Sequence, residues 1–188
     1  MSRRRARAAA ALIAAALALT TACGDDGGEV PPSSTVAASQ APSTSGPRPG
    51  AVVPQGFDRV SVALTRPDGT VVTWCVWLAD TAALRARGLM EVTDLGEADG
   101  MLFRFGQPTE GRFYMLRTRL PLSIAFFGAD GRLVSTEDLA PCPDDDDDPL
   151  CPRYGASGPY IDALEVPQGA LAGAGIGPGT LLAVGGGC

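Results

Sequence analysis

The ionisable side chains of this sequence restrict the chemistry that it can perform. The 188-residue chain contains no histidine, and its 15 basic residues are all arginines. A Ser-His-Asp triad, a Cys-His pair, a zinc site with histidine ligands and a Schiff-base lysine are therefore excluded. Carboxylates, tyrosines, cysteines and arginines remain, and they support a binding protein better than an enzyme.

Arginines and aromatic residues in the middle of the chain form the best candidate ligand-binding set. A guanidinium group binds a carboxylate or a phosphate through two parallel hydrogen bonds. The candidate residues, which include two nearby carboxylates, are Arg85, Arg87, Tyr114, Arg117, Arg119, Asp80 and Asp99. The alternative is that the arginines form ion pairs with Asp80, Asp99 or Glu91 inside the fold.

Other residue patterns indicate function more weakly. Two of the scattered carboxylates could supply the acid and the base of a glycosidase, so a carboxylate-dependent hydrolase acting on cell-wall glycan is the alternative function. The acidic run at residues 144–148 lacks the ligand spacing of a calcium loop. The methionines have no histidine to complete a copper site. The sequence thus predicts no catalytic residue, no metal site and no cofactor.

The N-terminal region has the features of an export signal. Four arginines within the first seven residues precede an apolar stretch and small residues that end at Cys23. The apolar stretch is shorter than the roughly 20 residues of a transmembrane helix. Because Cys23 resembles the lipidated cysteine of a bacterial lipobox, we predict a signal peptide over residues 1–22 and a palmitate-bearing lipoprotein. An ordinary secretory signal is the alternative.

Composition divides the remaining chain into a linker and one domain. Residues 23–56 are rich in Pro, Ser and Gly, which predicts a disordered linker attached to the lipid. Residues 57–188 are predicted to form a single globular domain. Removing the four signal arginines leaves 11 arginines against 21 acidic residues, a net charge of −10. Such a charge disfavours nucleic-acid binding and leaves the lipid as the contact with the membrane.

Four cysteines remain in the predicted domain, an even number that suits an oxidising compartment. They allow three pairings. Cys142 and Cys151 are close in sequence and bracket a loop, so we pair them, which leaves Cys75 with Cys188. Free thiols or a redox pair are the alternative.

Short β-branched and aromatic runs between turn residues predict a mainly β domain, a small sandwich or barrel-like fold with one or two short helices. A hairpin is predicted around the turn at residues 66–69. A helix is predicted from Asp80 or Thr81 to Arg87, with Gly88 as its C-cap. Further strands are predicted at residues 101–105, 111–116, 122–127, 132–135, 160–166 and 180–184.

Six motifs occur in an order that is similar to a known family. They read LADTAALRARGLM, DGMLFRF, RFYMLRTRLPLSIAFF, DGRLV, ALEVPQG and GIGPGTLL. Together they resemble the domain of unknown function 192 family over residues 71–184. The resemblance implies a mainly β, sandwich-like fold, and it carries no activity, substrate or catalytic residue.

The chain departs from that family pattern in one segment. Members usually carry a basic residue and then Asn or Asp where this chain has Leu116 and Arg117, and an Asp where it has Ser123. A polar site in that segment would have an altered charge here. The sequence therefore predicts a non-catalytic, lipid-anchored protein on the extracytoplasmic face of the cell membrane, which binds an envelope protein or a small ligand.

Overall fold

A computed structural model describes residues 48–142 and 151–188 of the chain. The predicted signal peptide, Cys23 and the acidic run at 144–148 lie outside the described residues. Within them the chain has seven strands and two short helices, which confirms the predicted mainly β fold. No helix of this described part is long and apolar enough to cross a membrane.

Two short helices interrupt the order of the strands along the described chain. They are β1 (Asp58–Thr65), β2 (Val71–Ala79), α1 (Ala82–Arg87), β3 (Gly100–Thr109), β4 (Leu122–Phe127), β5 (Leu133–Leu139), β6 (Tyr160–Pro167), α2 (Ala170–Gly173) and β7 (Leu181–Gly187). The predicted hairpin is β1–β2. Its turn is closed by the Asp68 carboxylate, which accepts the N–H of Thr70 at 2.9 Å, and by Gly69 at φ 82°. That φ favours glycine because it has no Cβ.

All seven strands belong to one sheet, in the order β5-β4-β6-β3-β2-β1-β7. The β2–β3 pair is parallel, so a crossover connection has to join these strands, and α1 lies in it. The two edge strands approach each other as well. The N–H of Leu182 donates to the carbonyl of Gly131 at 2.8 Å, and Arg132 forms a bridge with Leu181. These contacts make the sheet barrel-like.

The two faces of the sheet bury two separate apolar clusters, because side chains alternate along a strand. The inner cluster is Val62, Leu64, Val76, Leu102, Ala125, Phe127, Leu164, Val166, Leu171, Ile176 and Leu182. The outer cluster includes Phe57, Leu89, Met101, Phe103, Met115, Ile124, Phe126, Leu139 and Tyr160. Trp74 packs on the inner cluster and Trp77 on the outer one, and both are half-buried. The loops that cover the outer cluster also enclose the site described below.

Two disulfides join parts of the described chain, in the pairing that the sequence suggested. Cys75 of β2 is bonded to Cys188, 113 residues further along the chain. Cys142 is bonded to Cys151, nine residues away, across the segment outside the described residues. The first bridge links β2 to the residue that follows β7, with β1 lying between these two strands.

Two sequence predictions differ from the structure. Residues 111–116 do not form a strand, and only Phe113 makes a backbone bridge, with Tyr154. The predicted alternation is real, since Phe113 and Met115 pack against the outer cluster. The alternation arises because residues 111–116 cover one face of the sheet, and the segment is not a strand of that sheet.

The domain also begins before the predicted boundary at Phe57. Residues 48–56, assigned to the disordered linker, contact the domain. The N–H of Val52 donates to the Thr93 hydroxyl at 2.9 Å, and the carbonyl of Val52 accepts the N–H of Thr93 at 2.9 Å. Pro54 is buried. Composition did not indicate this, because the contacts are made mainly by backbone groups.

Candidate functional site

The short helix α1 forms one side of the site. Its N-cap is Thr81, whose hydroxyl accepts the N–H of Leu84 at 3.2 Å. It ends at Gly88, which has φ 48° and donates its N–H to the carbonyl of Leu84 at 2.9 Å. Thr81 is one of the two N-cap residues that the sequence offered, and Gly88 is the predicted C-cap. The helix therefore presents Arg85 and Arg87 in its last turn.

Arg85 is held by backbone carbonyl groups and an aromatic ring. Its Nη1 donates to the carbonyl oxygens of Asp80 and Arg104, at 2.5 and 2.8 Å. Its guanidinium carbon lies 4.8 Å from the centre of the Phe105 ring. A carbonyl group has no formal charge, so the positive charge of Arg85 is not neutralised by these contacts.

Arg87 is fixed in a similar way. Its Nη2 donates to the carbonyl of Gln55 at 2.6 Å, and its guanidinium carbon lies 4.3 Å from the Phe57 ring centre. Gln55 belongs to the N-terminal segment that packs on the domain. This segment therefore helps to position a site residue.

Aromatic rings form the wall opposite α1. The Phe113 and Phe103 rings meet edge-to-face with their centres 5.0 Å apart, and the ring centres of Tyr160 and Phe126 are 4.9 Å apart. The Tyr160 hydroxyl donates to the carbonyl of Gly111 at 2.9 Å, which ties the loop before β4 to β6. Burial raises the pKa of Tyr160 to about 12, so this hydroxyl stays protonated at physiological pH.

A cavity of about 250 Å³ lies between α1, this loop and the outer face of the sheet. Its charged and aromatic lining residues are Arg85, Arg87, Arg112, Phe103, Phe105, Phe113, Tyr114, Tyr160 and Glu165. Three guanidinium groups thus line one cavity in a domain that is acidic overall. The cavity suits a small molecule with an anionic group and an apolar body.

Glu165 is the one carboxyl group among the described residues that line this cavity. It lies on β6, in register between Met101 of β3 and Ile124 of β4, and only 4% of the residue is exposed. Its side chain has no hydrogen-bond or ion-pair partner within residues 48–142 and 151–188. Burial raises the pKa of Glu165 to about 8 because the charged form loses its hydration.

The structure brings only part of the predicted site together. Arg85, Arg87 and Tyr114 line the cavity. Asp80 contributes its backbone carbonyl to Arg85, as described above. The carboxylate of Asp99 accepts the N–H of Cys75 at 2.8 Å, so Asp99 holds the start of β3 against β2.

Arg117 and Arg119 bind the carboxylate of Glu91, as the alternative interpretation proposed. Arg117 Nε donates to Oε1 at 2.7 Å, and Arg119 Nη2 donates to Oε2 at 2.8 Å. These hydrogen bonds, the one from Arg117 first, lower the pKa of Glu91. Glu91 and Arg117 both have left-handed backbones, at φ 62° and 54°, and are joined by a backbone hydrogen bond of 2.8 Å.

The other unusual position, Ser123, is also structural. Its hydroxyl donates to Asp138 Oδ1 at 2.5 Å and accepts the N–H of Gly169 at 3.0 Å. Asp138 and Asp94 line a second cavity of about 580 Å³. Asp94 accepts the backbone N–H of Gly96 at 2.9 Å. Both carboxylates therefore already have hydrogen-bond donors from the protein.

Sequence reasoning missed Arg112 and Glu165. A signal for Glu165 was present, since it is an acidic residue within a β-branched, apolar strand pattern. The same strand contains Asp162, which is ion-paired with Arg104 at 3.1 Å. Burial raises the pKa of Asp162 and Arg104 opposes this effect. Only the register of β6 with its neighbours shows that Glu165 lacks such a partner.

Metal-binding side chains do not cluster in the described part of the chain. No group of three His, Cys, Asp or Glu residues there could hold a metal ion. Met101 and Met115 are fully buried in the outer cluster, and Met90 lines the cavity. Methionine commonly fills irregular gaps in a core.

The motif order noted in the sequence has a counterpart among known families. A profile of the DUF192 family, described as an uncharacterized ACR, matches residues 63–184. The chain belongs to the DUF192 family. The profile covers the described DUF192 domain from β1 to β7 and includes α1, Glu165 and the loop that carries Arg112.

Solved structures with the same fold include two bacterial proteins. One is a protein of unknown function from Novosphingobium aromaticivorans DSM 12444, 32% identical, with a TM-score of 0.61 over 71% of this DUF192 chain and 91% of that chain. The other is a putative transcription regulator from Sinorhizobium meliloti 1021, 26% identical, with a TM-score of 0.60 over 68% and 95%. A comparison with curated proteins gives no match.

Proposed function

We propose that this DUF192 protein is a non-catalytic binding module, and that the cavity beside α1 is its ligand site. The observation that carries the proposal is the combination of three arginines and five aromatic rings around one cavity. The ligand is a small organic anion whose carboxylate or phosphate meets the arginines while its apolar part contacts the rings.

The arginines supply the affinity for the anion. Guanidinium groups donate hydrogen bonds and accept none, so the mouth of the cavity favours acceptor groups with negative charge. Arg112 has no hydrogen bond or ion pair with any described residue, whereas Arg85 and Arg87 already donate to backbone carbonyls. Arg112 is therefore the arginine best placed to bind the ligand directly.

The size and walls of the cavity define the apolar part of the ligand. A cavity of about 250 Å³ is slightly smaller than those that hold drug-sized ligands, which suits one aromatic ring with a few substituents. Aromatic rings prefer edge-to-face or offset contacts with one another. A benzoate-like molecule therefore fits the proposal well.

The alternative function, glycoside hydrolysis, receives less support from this cavity. That chemistry needs two carboxyl groups on opposite sides of the bond that is cleaved. Among described residues, Glu165 is the one carboxyl group that lines the cavity. A binding role uses the arginines and rings that are present, and it requires no second carboxyl group.

We expect Arg112→Gln to weaken the binding of benzoate at least about tenfold, because a charge-assisted hydrogen bond contributes roughly 1.5–3 kcal/mol. Ligand-observed NMR titration of the full chain with benzoate measures the change. The matched control is Arg132→Gln. Arg132 is exposed, pairs with Asp130 at 3.4 Å and does not line the cavity. Benzoate binding that is unchanged in Arg112→Gln, or absent in the wild type at millimolar concentration, contradicts the proposal.

The proposal includes attachment of the protein to the extracytoplasmic face of the cell membrane through acylated Cys23. The charged N-terminal segment, the apolar stretch and the small residues before Cys23 support it. The Pro-, Ser- and Gly-rich residues that follow would separate the domain from the membrane surface.

Cys23→Ser is expected to release the protein from the membrane, since the acyl chains provide the anchor. Fractionation of cells that express each form, followed by mass spectrometry of the wild-type N-terminus, tests this. Membrane association that persists in the variant, with no acyl mass on the wild type, would rule out lipidation at Cys23.

A further inference from the structure

The inner wall of the cavity holds a carboxyl group that the protein leaves without a partner. Glu165 lies between Met101 and Ile124, both fully buried, and is itself 96% buried. Within the described ranges, no donor or cation contacts its carboxyl oxygens. The carboxyl faces the cavity, so a ligand that fills the cavity without offering an acceptor atom leaves this polar group buried and unpaired, which costs free energy. A ligand that places an acceptor atom at this carboxyl avoids that cost and is therefore favoured.

We infer that Glu165 donates a hydrogen bond to an acceptor atom at the inner end of the ligand. The preferred ligand is then a single-ring aromatic carboxylate that carries a carbonyl oxygen on the ring position opposite its carboxylate. The carboxylate stays with the arginines, and the carbonyl reaches Glu165. This inference rests on the proposed function, because it assigns the chemical class of the ligand for the same cavity.

The surroundings of Glu165 favour its neutral form, which is the form that can donate. Its cross-strand neighbours are apolar, and burial raises its pKa to about 8. The charged and titratable groups that face the same cavity or the same row of the sheet are Arg85 and Arg87 of α1, Arg112 and Tyr114 of the loop, Tyr160 of β6, and the exposed Glu137 of β5. Among these groups, burial raises the pKa of Tyr160 to about 12, so its hydroxyl stays protonated through the pH range in which Glu165 ionises.

Ionisation of Glu165 removes the donor and places a negative charge beside the ligand carbonyl. The preference for a ligand with this carbonyl is therefore expected below pH 8 and lost above it. The chain has no histidine or lysine to titrate in the same range. A glutamine at this position keeps an N–H donor and has no charge to gain.

The test uses 4-acetylbenzoate and 4-isopropylbenzoate, which have similar shape and differ in the carbonyl oxygen. We expect 4-acetylbenzoate to bind about tenfold more tightly at pH 6.5, because the analogue leaves the buried carboxyl unpaired. The preference should fall below about threefold at pH 9.5. In Glu165→Gln the preference should persist at both pH values, and in Glu165→Leu it should be absent at both.

The possible results separate this inference from the proposed function. If both compounds bind the wild type equally at both pH values, and binding still depends on Arg112, the cavity binds anions and Glu165 does not select among them. That result overturns the inference alone. If neither compound binds, the proposed function and the inference both fail. Circular dichroism of each variant shows whether it is folded, and Glu165→Gln keeps the test informative if the leucine variant is not.

Discussion

Glu165→Gln is expected to remove most of the pH dependence of folding stability between pH 5.5 and 8. In the wild type, burial raises the pKa of Glu165 from 4.5 to about 8. Between these values the folded chain keeps a proton that the unfolded chain has lost. The stabilisation is complete below the unfolded pKa and declines as pH rises to 8. At about 1.4 kcal/mol per pH unit, the wild type should lose about 3 kcal/mol from pH 5.5 to 8.

Urea unfolding at several pH values measures this difference. Few other groups interfere, since the chain has no histidine or lysine and its four domain cysteines are in disulfides. The matched control is Glu137→Gln. Ile124 of β4 lies between Glu165 of β6 on one side and Glu137 of β5 on the other, and Glu137 is exposed. The control should follow the wild-type curve. A glutamine variant at position 165 that also follows it would show that Glu165 is ionised in the folded protein.

Removing the long-range disulfide is expected to cause the larger loss of stability. In the chain-entropy description, Cys75→Ser with Cys188→Ser frees a loop of 113 residues and lowers the free energy of unfolding by about 5 kcal/mol. Many domains have a total stability of only about 5–15 kcal/mol. The double variant should therefore unfold at a much lower urea concentration, or be unfolded in its absence.

The matched control removes the other bridge. Cys142→Ser with Cys151→Ser opens a loop of nine residues, for which the same description gives roughly 2–3 kcal/mol. Unfolding of both variants under non-reducing conditions compares the two losses. Equal losses would show that loop length does not govern the stabilisation. A small loss at Cys75 and Cys188 would show that β1–β7 pairing holds the C-terminal strand without the bond.

Features determined by local chemistry were predictable from the sequence. The turn at Asp68 and Gly69 and the caps at Thr81 and Gly88 depend on residues within five positions of each other. Their hydrogen bonds are the ones that such residues make in many proteins. The strand at residues 111–116 was wrong for a related reason. A segment that covers a sheet shows the same alternation as a strand that pairs within it.

Features that depend on strand order were not predictable. Glu165 belongs to the site because β6 lies between β3 and β4, an arrangement that joins residues more than 40 positions apart. Arg112 reaches the cavity because distant contacts hold its loop on the sheet, namely the Tyr160 hydroxyl at Gly111 and the backbone bridge between Phe113 and Tyr154. The predicted arginine set was divided for the same reason. Arg85 and Arg87 reach the cavity, whereas Arg117 and Arg119 bind Glu91, which the sequence offered as the alternative.

The bond between Cys75 and Cys188 also affects how the domain would respond to mechanical tension. A force applied at Cys188 and at a point before β1 passes through the bond directly to β2. The strands from β3 to β7 lie within the closed covalent loop and are shielded from it. Only residues 48–75 of the described chain can be extended, which limits the lengthening to about 100 Å at roughly 3.5 Å per residue. The cavity residues, from Arg85 to Glu165, all lie within the shielded loop.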